Sequence, residues 1–167
     1  MGYETRHWPS PAWTVNRYTG VLDENWAFTV HKTLFIGINL VGGTVHDTTE
    51  WAIRQTADLE WIDLQVDAAK QNGDMELLVV FAHADPSIST NDPFYNPFFE
   101  NVRSSYNVPT VLVHRNLGID TAQKQENFMG ITDFVLLVVE GGIWPPMRVE
   151  VDTESGSFLW NQADWFV

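Results

Sequence analysis

The run Leu77-Leu78-Val79-Val80-Phe81-Ala82-His83-Ala84-Asp85-Pro86 constrains this chain more than any other segment. Its first six residues are all apolar, and the apolar character then stops abruptly. A short unbroken apolar stretch predicts a strand covered on both faces. The stop puts an imidazole, His83, and a carboxylate, Asp85, at the strand's carboxyl end. Open α/β sheets hold their ligand crevice along that rim.

The neighbouring segments supply the rest of such a sheet. Trp26–His31 and Leu34–Leu40 are strand candidates, and the short break at Lys32-Thr33 predicts an antiparallel hairpin. Gly42-Gly43 stop the second strand. Asp47 and Glu50 have the spacing of an acidic capping box, which predicts a helix from Thr49 to Gln71. Trp51, Leu59, Ile62, Val66 and Ala69 fall near one face of it, and Asn72-Gly73 end it. After the Leu77–Ala82 strand comes a polar loop from Ala84 to Pro97. Asn96-Pro97 suit an N-cap and first helical position, which predicts a short helix over Phe98–Tyr106. Val108–His114 is a second short buried strand, and it too ends in a histidine.

This strand-helix-strand-helix-strand order predicts parallel pairing with right-handed crossovers. Thr132–Val139, Met147–Asp152 and Ser157–Trp160 read as antiparallel strands, punctuated by Gly141-Gly142, Pro145-Pro146 and Glu154-Ser155-Gly156. Residues 1–24, broken by Pro9, Pro11 and Gly20, read as irregular. The expected fold class is α/β, a mixed sheet with carboxyl-terminal antiparallel strands in one domain over residues 1–167.

Charge narrows the functional classes. Nine basic residues against 22 acidic ones give a formal net charge of −13, which opposes nonspecific binding to nucleic acid or to an anionic membrane. No apolar run reaches the length of a membrane helix, and the first residues lack the apolar core of a signal peptide. The absence of cysteine removes disulfides and thiolate metal ligands. Gly-x-Ser-x-Gly, a phosphate-binding loop and a dinucleotide glycine fingerprint are all missing.

His83 and His114 are the sharpest candidates. In a parallel pair their strand ends share one rim, where two neutral imidazoles could hold a divalent metal. Asp85, Asn116 and Asp120 could add oxygen ligands. The competing reading has each histidine capping a strand end by bonding to backbone. His46 lies beside a helix start, where a loop role competes with anion binding. The aromatic string Phe94-Tyr95-Asn96-Pro97-Phe98-Phe99 is either a docking surface or a helix packed on the sheet.

The helix carrying Trp51 and Trp61-Ile62-Asp63-Leu64, followed by Leu78-Val79-Val80-Phe81-Ala82-His83-Ala84-Asp85-Pro86, resembles the later half of calcineurin-like metallophosphoesterases. The segments Asn25-Trp26-Ala27-Phe28 and Leu34-Phe35-Ile36-Gly37-Ile38-Asn39 are similar to that family's mid-domain hairpin. Ile143-Trp144-Pro145-Pro146-Met147-Arg148-Val149-Glu150-Val151-Asp152 is similar to its closing strands. The resemblance implies an α/β sandwich, a divalent metal (Mn, Fe or Zn) and phosphoester hydrolysis. It carries the late metal ligands onto His83, His114 and Asn116. The family's Asp-x-His, Gly-Asp-x-x-Asp and Gly-Asn-His motifs are absent, and Val113-His114-Arg115-Asn116 stands where Gly-His-x-His belongs. The expectation is therefore an incomplete metallophosphoesterase-like domain with impaired catalysis. The alternative is a noncatalytic interaction module that docks a protein partner or a second copy through Pro93–Phe99.

Overall fold

Nine strands and two α-helices form among the described residues of the computed structural model, which are 13–20, 22–116, 123–140, 148–152 and 157–161. Seven strands make one sheet: β1 (Asn16–Arg17), β2 (Trp26–Val30), β3 (Thr33–Gly37), β4 (Leu77–Phe81), β5 (Thr110–Asn116), β6 (Gln123–Glu126) and β7 (Phe134–Glu140). Their order is β1-β2-β3-β4-β5-β7-β6. The centre is parallel, since β3 pairs β4, β4 pairs β5 and β5 pairs β7 in that sense. Both flanks are antiparallel. β8 (Arg148–Asp152) and β9 (Ser157–Asn161) form a separate antiparallel pair. The helices are α1 (Thr48–Gln71) and α2 (Asp92–Asn101).

The mixed α/β class and the parallel β3-β4-β5 core follow the sequence pattern. Local chemistry explains the boundaries. The β2–β3 hairpin turns on His31 and Lys32, both left-handed at φ 46° and 61°, which matches the twist of a two-residue turn. Lys32 is anchored there, pairing its ammonium with Glu76 and accepting Glu76 N–H on its carbonyl at 2.8 Å. At the start of α1, Asp47 accepts the Thr49 and Glu50 amides at 2.8 and 3.1 Å. Its end is closed by Gly73, left-handed at φ 71°, while Asp74 N–H reaches back to Ala69 O at 2.9 Å.

Two expectations are corrected. α2 begins at Asp92, not Phe98, so Pro97 lies inside the helix rather than at its first position. Asp92-Pro93 provides the same start signature one turn earlier, and burial of Phe94, Tyr95, Phe98 and Phe99 offsets the backbone bond that Pro97 cannot donate. The helix continues as a π-helical segment, Val102–Tyr106, and ends on left-handed Asn107. Phe134–Glu140 is not an antiparallel tail strand with respect to the core, because it joins β5 in parallel. Its antiparallel neighbour β6 is so polar that it carries no apolar signal. Gly141-Gly142, Pro145-Pro146, Glu154-Ser155-Gly156 and residues 1–12 lie outside the described residues.

The sheet has two unlike faces. On one, Leu34, Ile36, Leu78, Val80, Leu112 and Leu136 pack against Trp61, Ile62 and Val66 of α1 and the aromatic residues of α2. The string Phe94–Phe99 is therefore core, with Phe94 and Phe98 fully buried, and it is not available as the docking surface considered above. Tyr106 donates to Asp63 Oδ1 at 2.6 Å and Asn101 Nδ2 to the same oxygen at 3.0 Å, which ties the π-helical segment and α2 to α1. The other face carries Leu77, Val79, Val111, Val113 and Leu137. Toward β2 it becomes an aromatic ladder. Phe35 stacks on Phe28 at 5.1 Å, Phe28 on Trp26 at 5.5 Å and on Trp13 at 5.7 Å, and Trp26 leans on Phe81 at 5.8 Å.

Gly37 makes that ladder possible. It faces Trp26 across the β2–β3 pair, and a Cβ there would lie 2.2 Å from Cε2 of the indole. Gly37→Ala should lift the indole and destabilise the protein by about 1–3 kcal/mol. Urea unfolding and near-ultraviolet circular dichroism measure this, and unchanged stability together with an unchanged aromatic spectrum would contradict the packing.

Candidate functional site

The carboxyl rim of the parallel strands is held together by backbone. Ala82 N–H donates to Val113 O at 2.9 Å, extending the β4–β5 ladder by one rung. The chain then turns toward the segment leaving β3. His83 and Ala84 both donate to Leu40 O, at 3.2 and 2.9 Å. Helix α2 clamps the same loop, with Tyr95 Oη donating to Ala84 O at 2.6 Å. Asn91 Nδ2 donates to Asp85 O at 3.0 Å.

This architecture gathers His83, Asp85, His114 and Asn116 on one rim, as the two strand ends imply. Asp120 lies outside the described residues. The chemistry of the gathered groups is already partly used. Gly42 N–H donates to His83 Nδ1 at 3.2 Å, so the ring proton sits on Nε2. His114, 2% exposed, has the opposite arrangement: Nδ1 donates to Arg115 O at 3.2 Å and the lone pair is on Nε2. Burial holds the His114 pKa below the usual imidazole value, and His83 pushes the same way. Asp85 and the Arg115 carbonyl oppose them. Asp85 accepts the Ser87 amide at 2.8 Å and the Ser87 hydroxyl at 2.7 Å on Oδ1, and Asn116 Nδ2 at 3.4 Å on Oδ2.

Two imidazoles that share a metal must both present a lone pair. Here one presents N–H and the other a lone pair. Turning His83 to its other tautomer would set Nδ1–H against Gly42 N–H. Among the described residues no group of three histidine or carboxylate side chains is arranged to hold a metal ion. The donor set therefore does not fit the divalent metal that the resemblance implies. The Ser87 hydroxyl donates to the Asp85 carboxylate, so the serine–histidine pair of a hydrolase does not form there. His46 and His31 are exposed, His46 ahead of the α1 cap and His31 in the hairpin turn.

A crevice of about 390 Å³ opens beside this rim. Glu24, Trp26, Asn39, Phe81 and His83 line it. Phe81 is 38% exposed although it ends an otherwise buried strand. Asn39 Nδ2 donates to Glu24 Oε1 at 2.7 Å, which fixes the carboxylate at the crevice edge. A second cavity, about 420 Å³, lies at the amino ends of β5 and β7 beside Arg103, Asn107 and Asp133. Arg103 donates to Met129 O there at 3.3 Å, a contact that braces the turn before β7.

Sequence reasoning missed a buried acid behind the crevice. Asp58 is fully buried in α1. Its Oδ1 accepts Asn25 Nδ2 at 2.7 Å, and Asn25 Oδ1 accepts the Asn39 amide at 2.7 Å. Its Oδ2 is buried with no hydrogen-bond partner. Burial pushes the carboxyl up from 3.8 to about 7, and Glu24 adds to the rise, while the Asn25 bond and the Arg54 guanidinium oppose it. The available signal was spacing: Asp58, Ile62 and Val66 recur every four residues on the buried side of α1.

No protein-family model, curated protein or solved structure matches the chain.

A carboxyl with a raised pKa binds more protons folded than unfolded between about pH 4 and pH 7, so its contribution to stability falls as pH rises through that window. At about 1.4 kcal/mol per pH unit the loss is about 4 kcal/mol in all. Asp58→Asn should remove this fall and flatten the profile between those limits. Urea midpoints of both proteins across the window measure it, and parallel profiles would contradict an Asp58 that titrates near neutrality.

Proposed function

We propose that this chain is a metallophosphoesterase-like α/β domain that works by binding rather than by turnover. The family part of this reading is supported by the order of elements: a hairpin, a long helix, and two parallel strands with a histidine just past the end of β4 and another among the last paired residues of β5. The binding part is supported by one observation above the others. The rim groups that would have to coordinate, abstract a proton or attack are already engaged within the chain, His83 by Gly42 and Asp85 by Ser87 and Asn116.

In-line attack on phosphorus needs ions held by several ligands to orient the nucleophile and neutralise the phosphate. Of the two rim imidazoles only His114 presents a lone pair, on Nε2, and the net charge of −13 repels a phosphoester. The crevice at the same rim is better suited to holding a ligand: aromatic walls supply contact area, and Glu24 and Asn39 supply polar edges that fix orientation.

Hydrolysis of an aryl phosphate by the purified protein, with Mn²⁺, Fe²⁺ or Zn²⁺ added in turn, should not exceed that of the metal in buffer. Metal-dependent turnover that disappears in His114→Ala or His83→Ala would overturn the reading and restore a hydrolase.

A further inference from the structure

We propose that the rim crevice receives the organic cation of a basic peptide segment, a lysine or arginine side chain, laid over Trp26 and Phe81 and facing Glu24. This deepens the binding reading above and rests on it.

The walls carry the first part of the argument. Trp26 and Phe81 stand 5.8 Å apart between ring centroids with their planes inclined by 35°, a tilted contact, so a cation would lie over the pair and not between the rings. Aromatic faces attract ammonium and guanidinium groups within about 6 Å of a ring centroid, and tryptophan does so most strongly. Gly37 lets the indole lie close against the sheet, where a side chain would collide with it. Phe81 keeps its exposure where the rest of β4 is buried.

Charge carries the second part. Glu24 is exposed and lines the crevice, and Asn39 holds one of its oxygens at 2.7 Å. The crevice lining contains no lysine or arginine among the described residues. Two arginines flank the crevice without lining it. Arg17 stands opposite Trp26 in the β1–β2 register but outside the crevice lining. Arg54 points its guanidinium at Asn39 O, 3.5 Å away, and at Glu50, 2.9 Å away. A cation entering from outside would meet a carboxylate with which no lysine or arginine among the described residues is paired. The net charge of −13 adds a long-range field that favours the approach of a basic partner.

The aromatic ladder carries the third part. It continues from Trp26 through Phe28 to Trp13 and Phe35, so the aliphatic stems of a basic segment have apolar surface to lie along. A free small cation would use only the Trp26–Phe81 pair, whereas a peptide would use the pair and the ladder together.

The test titrates the full chain with a short oligoarginine peptide at about 0.15 M ionic strength, followed by calorimetry and tryptophan fluorescence. Guanidinium and tetramethylammonium ions are titrated separately. The peptide should bind and quench, and the free ions should bind at least tenfold more weakly. Glu24→Gln keeps an acceptor for Asn39 and removes only the charge; it should weaken the peptide about tenfold. Phe81→Leu, at an exposed position, should weaken it about threefold. Glu60→Gln, an exposed change on α1 across the sheet, should leave affinity unchanged. Absence of binding, equal losses in Glu24→Gln and Glu60→Gln, or full affinity in Phe81→Leu would each overturn the proposal. Failure here without metal-dependent turnover sinks the ligand class alone, whereas turnover in the phosphoester assay sinks the binding reading itself.

Discussion

Strand β4 is the constraint on which the rest of the molecule depends. It pairs in parallel on both sides, with β3 and with β5, and alternate residues enter the two apolar layers. A one-residue slip would exchange the faces and take Leu78 and Val80 out from under the helices. Where β4 stops therefore decides where the rim lies. The stop at Phe81 turns an aromatic side chain outward and delivers His83 and Asp85 to the loop. Leu40, Asn91 and Tyr95 then fix that loop from three directions.

Much of this was legible in the chain because it is local. The hairpin, the Asp47 cap, the Gly73 stop and the apolar run of β4 each depend on a few adjacent residues. What was not legible depends on distant ones. The start of α2 is an example. Asn96-Pro97 and Asp92-Pro93 both carry a helix-start signature, and only the burial of Phe94 and Tyr95 against the sheet selects the earlier one. The direction of β7 is another, since nothing within Phe134–Glu140 says that its parallel neighbour is β5.

The site divides in the same way. That two histidines share a rim follows from strand ends and parallel pairing. That they hold their protons on opposite nitrogens follows from a glycine amide 41 residues away in sequence and from the carbonyl of Arg115 next in the chain. Spacing cannot reveal such a difference, yet it separates a ligand pair from two capped strand ends. Asp58 offers the converse lesson. A charged residue in an i, i+4 series with Ile62 and Val66 marks a buried acid, and its neighbours Asn25 and Asn39 connect it to the crevice edge.

The π-helical segment after α2 has a consequence for how chains of this design vary in length. A π turn spans about one residue more than an α turn, and each residue of an α-helix advances the winding by about 100°. The surplus residue in Val102–Tyr106 sets the phase at which Tyr106 meets Asp63 before the chain reverses at Asn107. A sibling chain one residue shorter between Phe99 and Asn107 could wind as plain α-helix and still deliver its next strand to the sheet. Single-residue gains and losses among siblings thus have a natural home in this turn, where the spiral absorbs them, rather than in the strands on either side.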